Sequence, residues 1–376
     1  MNPRRLLAVS SKELIHVLRD PRSLGMGIAI PLLLLVLFGY ALSLDVDNVP
    51  LLVWDQSRTP QSRELVSRFE GSRYFSVKGQ PDGYGAIERA IDRGDALMGL
   101  VIPSDLGRPA ADRPTPVQLL VDGSDASTAA IAIGYAEGVV RAYGLERSAE
   151  ALGRAGVRVP WSPLDVRSRV LFNEDLESRN YIIPGLIAVI MMVIAALLTS
   201  LTVAREWESG TMEQLVSTPL KGPELILGKL LPYVGIGLLD VLLSVLMGAF
   251  VFHVPLRGSV SLLFGMAAVF LVGALSLGML ISIVTKSQLL ASQLAMVATF
   301  LPAFLLSGFM YDIDNMPRAV QLITLVVPAR YFVALLKGIY LKGVGLDVLA
   351  FEAGLLAVFA SAMLALAIVK FKKKLV

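Results

Sequence analysis

Residues 180–204 read NYIIPGLIAVIMMVIAALLTSLTVA, and residues 205–219 continue without a break as REWESGTMEQLVSTP. The first stretch carries no charge over 25 residues, more than the ~20 apolar positions a helix needs to cross a bilayer. The second holds Arg205, Glu206, Glu208 and Glu213 in nine positions. Gly210 permits a sharp turn directly after the apolar run. Thr211 followed by Gln214 fits a capping box, which predicts a helix starting at 212 and carrying Leu215. Pro219 disfavours helix at Thr218 and ends it after about two turns. Turn, cap and stop signals at this density predict a short, rigid, charged docking element at a membrane face, in preference to an ordinary polar loop.

The rest of the chain repeats the apolar theme. Uncharged runs cover 23–44, 258–285 and 287–311. The run 224–252 is interrupted inside its apolar part by Asp240, and 348–369 carries Glu352 near its start. Of all 376 residues 55% are hydrophobic and 17% charged, against about 45–50% and about 25% in soluble domains. A soluble enzyme and a disordered chain are thereby excluded. The reading is a multi-pass α-helical membrane protein with six transmembrane helices. Its segments are an amphipathic interfacial helix in 1–22, spans at 23–44, 180–204, 224–252, 258–285, 287–311 and 348–369, a docking segment at 205–221, a re-entrant hairpin in 312–345 and a basic tail at 370–376. For the hairpin, two short apolar pieces, 319–327 and 331–336, flank Pro328 and Arg330; a pair of surface amphipathic helices is the alternative. Ala41-Leu42-Ser43 resembles a signal-peptidase site, but the run before it is too long for a signal peptide core, and the span is read as retained.

Charge is distributed unevenly. Residues 45–179 hold 16 Lys/Arg and 20 Asp/Glu, whereas the other 241 residues hold 18 and 11. Under the positive-inside rule, six spans with the N-terminus inside give 13 basic residues to the cytoplasmic segments and five to the short outer loops. Both termini are therefore expected in the cytoplasm and the acidic 45–179 insert outside. The insert alternates short apolar runs at 49–54, 73–77, 96–102 and 116–121 with helical spacing at 60–70, 84–93 and 125–152. That pattern predicts an extracytoplasmic α/β domain between helices 1 and 2. Pro109, Pro114 and Pro116 mark a surface loop, and 153–179 a polar return to the membrane. In the lead, 3–20, Leu7, Leu14 and Leu18 share one helical face, Leu6 and Val17 flank it, and Asp20-Pro21 ends the helix.

Catalytic chemistry finds no support. There is no cysteine, hence no disulfide, thiolate metal site or cysteine nucleophile. His16 and His253 have no metal-binding spacing, and no GxxxxGK[ST] phosphate loop exists. Nucleic-acid binding is a poor reading of the basic balance, because no basic cluster lies on a polar fold. The informative polar residues lie in the membrane. An ionised Asp240 near the middle of a span costs about 2.5–3.5 kcal/mol on insertion scales, so it should face the bundle or water. Tyr233, Gly237, Asp240, Ser244 and Gly248 fall on one helical face. The span 287–311 carries Gln288, Ser292, Gln293 and Thr299, and Pro302 as a kink.

The 205–219 segment resembles the R-E-x-E-x-G-T-x-E-x-L-x-x-[ST]-P motif of ABC-2 type transporter permeases, the membrane subunits of ABC exporters. Leu18-Arg19-Asp20-Pro21 with Pro31 and Phe38-Gly39-Tyr40-Ala41 looks like the family's first span. Val53-Trp54-Asp55 with Arg63, and Val121-Asp122-Gly123-Ser124, look like the external domain of its drug-efflux-like branch. Ser307-Gly308-Phe309, Asn315-Met316-Pro317 and Pro328-Ala329-Arg330-Tyr331 resemble the stretch after its fifth span. Trp207 stands where the family often has an aliphatic residue.

The resemblance implies the ABC-2 type exporter fold. It also implies a separate ABC ATPase subunit docking on a coupling helix that includes Arg205, Glu206, Glu208, Gly210, Thr211, Glu213, Gln214, Leu215 and Pro219. ATP and Mg would be bound by that partner and no cofactor by this chain. The chain would pair with a second copy or a paralogue in the bacterial inner membrane, among membrane lipid. It would export a hydrophobic or amphipathic small molecule or lipid. A periplasmic adaptor is left open. Spans two and five line the pathway in such permeases, which makes Met191, Phe300 and Phe304 candidates for apolar substrate contact. Asp240, Ser244 and Gln293 are the intramembrane polar candidates. Two other classes stand beside this one: an ion-coupled secondary transporter using Asp240, and a receptor or structural protein acting through the external domain.

Overall fold

The computed structural model describes residues 2–42, 46–106, 116–154, 171–173 and 177–371. The loop at Pro109 and Pro114, most of the 153–179 return and the tail beyond Phe371 lie outside the described residues. The chain divides into two compact units, one of 1–43 with 170–376 and the other of 44–169.

The first unit opens with α1 (Pro3–Arg19), which has Asn2 as its cap: the Asn2 side chain accepts from the Arg4 N–H. Asp20, with extended backbone, ends it, as its position before Pro21 dictates. Next come α2 (Pro21–Leu24), a π-helical turn over Gly25–Ala29, and α3 (Ile30–Ala41). The run read as a span at 23–44 is thus not a uniform α-helix. Pro31 has no N–H and its ring crowds the carbonyl four residues back. The backbone answers with a wider turn, in which the Ile30 N–H bonds to the Gly25 carbonyl. The apolar helix Gly25–Ala41 is then only about 25 Å long.

The second unit is built on a four-stranded sheet. Its elements are β1 (Val49–Asp55), α4 (Pro60–Glu70), β2 (Phe75–Gly79), α5 (Tyr84–Asp92), β3 (Met98–Ile102), β4 (Gln118–Val121) and α6 (Ala126–Arg154). Strand order is β2-β1-β3-β4, with β1 parallel to both β2 and β3 and only β4 antiparallel. Parallel neighbours need crossover helices, which α4 and α5 supply. Leu51 and Val53 alternate inward on β1, and Leu65 and Phe69 of α4 meet them. All of β3 is buried, as a central strand covered on both faces must be. The helix α6 docks through Ala132, Ala136 and Tyr143, and the Tyr143 hydroxyl donates to the Gln61 carbonyl at 2.9 Å.

The first unit resumes with α7 (Ser178–Glu208), α8 (Thr211–Ser217), α9 (Gly222–Phe250), α10 (Val260–Thr285) and α11 (Gln288–Leu305). It closes with α12 (Arg318–Thr324), α13 (Pro328–Lys337) and α14 (Leu346–Lys370). Five of these, α7, α9, α10, α11 and α14, are long and apolar enough to cross a membrane. The pair formed by α12 and the helix from Pro328 to Lys342 is bent by 85°. The first apolar piece of this region is shorter than the expected 319–327, because Leu325, Val326 and Val327 form the turn that Pro328 enforces.

The central helix is α7, buried around nearly its whole circumference and packed on α10, α11, α13, α3 and α9. Its approach to α10 is close enough to require glycine. A Cβ on Gly278 would strike the Ala196 carbonyl oxygen and the Thr199 hydroxyl. The contact is polar as well as apolar. Thr199 Oγ1 donates to the Leu275 carbonyl at 2.8 Å, and Ser282 Oγ accepts from the Val203 and Ala204 N–H groups at 3.1 and 2.9 Å.

Candidate functional site

The segment after α7 turns on Gly210, whose φ of +73° lies in the left-handed region, where only glycine sits without strain. The helix α8 begins at Thr211, with Gly210 as its cap and no side-chain cap bond. The expected capping box is therefore absent. The Thr211 hydroxyl instead lies 3.0 Å from that of Ser209 and 3.4 Å from the Glu206 carbonyl oxygen. Thr218 is extended, so the helix stops where Pro219 requires.

One face of α8 is anchored: Met212 is fully buried and Leu215, one turn on, packs partly buried on the core of the first unit. Thr211, Glu213, Gln214 and Ser217 are exposed on the other. The exit is fastened as well, since Arg5 of α1 donates to the Pro219 carbonyl at 2.6 Å.

The acidic residues before α8 have partners within the chain. Glu208 accepts from the Gln288 N–H at 2.8 Å and from its side-chain amide at 2.5 Å, which ties the end of α7 to the start of α11. Lys286, between α10 and α11, places its ammonium 4.6 Å from the Trp207 ring centroid. Arg205 pairs with Asp20 at 3.1 Å. Glu206 Oε1 receives both Lys12 of α1, at 3.1 Å, and Lys229 of α9, at 2.9 Å.

Lys229 reaches Glu13 of α1 as well, and Glu13 also accepts from the Tyr233 hydroxyl at 3.2 Å. Lys229 and Glu13 are both buried. This five-residue cluster joins α1, α7 and α9, and the sequence reading missed it. Lys229 was counted there as one more basic residue beside a span. The available signal was a lone charge among Ile226, Leu227, Leu230 and Leu231, matched by Glu13 midway between Val9 and Val17 at helical spacing. The same geometry adds a second face to α1: Val9, Glu13 and Val17 are buried where it packs on α9, while Leu7, Leu14, Ile15 and Leu18 are exposed.

Within the membrane helices, Tyr233, Gly237, Asp240, Ser244 and Gly248 are all buried. Neither Asp240 carboxylate oxygen has a hydrogen-bond partner among the described residues. Gln293, by contrast, is exposed on α11. Met191 of α7 is buried, and Phe300 of α11 is exposed. Phe300 stacks on Phe304 at 5.7 Å, and Phe304 meets Phe309 edge-on at 5.8 Å. Of the three pathway candidates, Phe300 and Phe304 are thus in contact with each other.

At the opposite end of α7, the Gly308 carbonyl accepts from the Tyr181 hydroxyl at 3.2 Å and from Lys337 Nζ at 2.8 Å. The Lys337 ammonium also stands over the Tyr181 ring. The bend between α12 and α13 is clasped by Arg330, bonded to the Thr324 hydroxyl, and by Tyr331, which donates to the Leu325 carbonyl at 2.7 Å. Among the described residues no group of His, Asp and Glu side chains is arranged to hold a metal ion.

Comparison with known proteins gives this arrangement a family. The ABC-2 family transporter proteins match residues 21–369. The probable multidrug ABC transporter permease YbhS of Escherichia coli is 39% identical over 90% of this chain and 89% of its own length. The probable multidrug ABC transporter permease YbhR of the same organism is 31% identical over 92% of both chains. The inner membrane transport permease YhhJ is 25% identical over 98% of this chain and 97% of its own. The family model covers nearly the whole chain and two relatives above 30% identity cover about nine tenths of it: the chain belongs to the ABC-2 family of transporter proteins, as a membrane-embedded permease.

Proposed function

We propose that the chain is the permease subunit of an ATP-driven exporter that moves a hydrophobic or amphipathic small molecule or lipid outward across the bacterial inner membrane. It has six spans when the short apolar helix Gly25–Ala41 is counted with the five long ones. Both termini and α8 lie in the cytoplasm, and the α/β unit of 44–169 lies outside. A separate ABC ATPase docks on α8 and carries ATP and Mg, and a second copy or a paralogue completes the pathway. The observation that carries this reading is the construction of α8. It is a two-turn helix fixed by Met212, Gly210 and Arg5, and its exposed side presents Thr211, Glu213 and Gln214. A rigid element transmits a push from outside, which a mobile loop does not. The names of YbhS and YbhR support efflux of drug-like compounds as the activity.

Co-purification tests the docking role. The isolated chain hydrolyses no ATP, and it captures an ATPase subunit encoded beside it. Capture is lost when Glu208→Ala, Gly210→Ala and Glu213→Ala are combined. Retained capture by that triple variant, in folded protein, overturns the docking role of α8. A second reading, ion-coupled transport, draws on the unpartnered carboxyl of Asp240. It predicts transport in vesicles without any ATPase.

A further inference from the structure

An apolar crevice of about 210 Å³ is lined by Leu6 of α1, Leu227, Leu231 and Val234 of α9, Val272 of α10 and Leu364 of α14. It opens on the outside of the bundle, where Leu231 is half exposed. Both α9 and α14 are long and apolar enough to cross a membrane, so this surface meets hydrocarbon and the crevice is filled from the bilayer. Its volume is below the ~300–1,000 Å³ of small-molecule sites. It takes one hydrocarbon chain rather than a whole amphiphile.

Three of these helices end together just beyond the crevice. The Asn2 N–H, at the start of α1, bonds to Glu224 in the first turn of α9 at 2.7 Å. A Cβ on Gly222, the first residue of α9, would lie 3.5 Å from the ring of Phe371, which follows α14. From this meeting point Leu6, Leu227 and Leu364 stand four, five and seven residues along their helices, about 6–11 Å away at the helical rise. The same meeting point is basic. Arg4, Lys221 and Lys370 are exposed there, and no ion pair ties any of them to a carboxylate among the described residues. Arg5 beside them spends one donor on the Pro219 carbonyl. Glu224 is buried and already accepts the Asn2 and Lys221 N–H groups.

We propose that this crevice and the basic cluster below it form one binding site for an anionic diacyl phospholipid, with an acyl chain between α1, α9, α10 and α14 and the phosphate among Arg4, Lys221 and Lys370. The order of parts is that of the lipid itself: a hydrocarbon slot in the membrane, then cations at the surface where the phosphate emerges. Unpaired lysine and arginine beside a membrane favour anionic over zwitterionic headgroups, because the choline or ethanolamine cation of the latter meets like charge. The bound lipid would brace α1 against α14, which touch α9 from different sides of the crevice. The site rests on the membrane-embedded fold, and holds whichever compound is exported and whether or not an ATPase docks on α8.

The test uses the full-length chain in phosphatidylcholine nanodiscs doped with phosphatidylglycerol that carries a diazirine on one acyl chain. Phosphatidylcholine and diacylglycerol with the same diazirine chain are run in parallel. Labelled peptides are identified by mass spectrometry over a series of mole fractions. Phosphatidylglycerol should label the segments 227–234 and 364–370 at a half-saturating mole fraction about tenfold below that of either other probe. Val234→Trp, which fills the crevice, should abolish that labelling. Arg4→Gln with Lys370→Gln changes only exposed side chains, so the protein folds, and should bring phosphatidylglycerol level with phosphatidylcholine. Arg19→Gln removes an exposed charge from the other end of α1 and should leave the preference intact. Equal half-saturation by phosphatidylglycerol and phosphatidylcholine in the unaltered chain overturns the proposal. So does a preference that survives the double variant, or labelling that survives Val234→Trp. A loss with Arg19→Gln as large as with Arg4→Gln overturns it too, since the attraction is then that of the whole basic face and not of this cluster.

Discussion

Lys229 Nζ lies 3.1 Å from Glu13 Oε2, and the two groups come from helices more than two hundred residues apart in the chain. Each is almost wholly withdrawn from solvent, so neither tolerates the loss of the other. Among the described residues, Lys229→Met leaves Glu13 with the Tyr233 hydroxyl alone and Glu206 with only Lys12. Breaking a buried pair from one side costs roughly 3–5 kcal/mol. We expect a large fall in thermal stability in detergent. Adding Glu13→Gln to Lys229→Met should restore much of it, because the buried charge left behind is then removed. A double variant no more stable than Lys229→Met would mean that the two residues are not energetically coupled.

The α7–α10 seam predicts a second asymmetry between glycines. Gly278→Ala places a methyl group against the Ala196 carbonyl and the Thr199 hydroxyl, both held by their own helix. Neither neighbour is a flexible side-chain end that can move aside. Overpacking of this kind costs about 1–3 kcal/mol. Gly354→Ala, on α14 with nothing within 4 Å of its added Cβ, should be neutral or slightly stabilising, as alanine is the better helix former. Thermal unfolding of the two variants side by side separates seam packing from helix propensity. Equal stabilities would show that the seam yields.

Much of this architecture was legible in the residues because membrane spans announce themselves by length. Runs such as 180–204 and 258–285 leave no other reading, and the strand and helix pattern of 49–54 through 125–152 met elements at nearly the same bounds. The irregularity of the apolar helix Gly25–Ala41 was not legible, since a π turn is a local answer to Pro31 that composition does not encode. The Lys229–Glu13–Glu206 cluster was hidden for a different reason. Each member is unremarkable in its own segment, and only the packing of α1 along α9 brings Glu13 of the lead helix to Lys229. Thr211 misled because a hydroxyl followed by Gln214 fits a capping box, whereas Gly210 in the left-handed region turns the Thr211 hydroxyl back toward Glu206.

Gly210 makes the proposed docking role of α8 testable apart from its charges. At φ +73° a Cβ costs about 1–2 kcal/mol, with no steric neighbour within 4 Å to confuse the result. Gly210→Val should therefore insert and fold, yet misplace α8 and lower ATP-driven transport severalfold or more. Gly210→Asn, whose side chain suits the left-handed region better than most, should retain most activity. Transport assays on the reconstituted complex rank the three residues. Equal activity of the valine and asparagine variants would show that backbone conformation at this turn does not matter.

Asp240 gives the sharpest separation of structure from transport. Its carboxyl is buried in α9 with neither oxygen bonded among the described residues, so no ion pair is lost when the charge is removed. Asp240→Asn preserves size and should leave thermal stability unchanged or raise it, because a carboxylate there is costly to bury. If the residue serves only to fill its place beside Gly237 and Ser244, efflux by the asparagine variant matches that of the unaltered chain. If it exchanges a proton or cation during the cycle, efflux falls at least tenfold in a protein that still assembles and still stimulates its ATPase. We expect the second result, since an acidic residue without a structural partner has no packing reason to stand where asparagine or leucine would cost less. A fall of more than about 1 kcal/mol in stability would instead reveal a partner that holds the carboxylate.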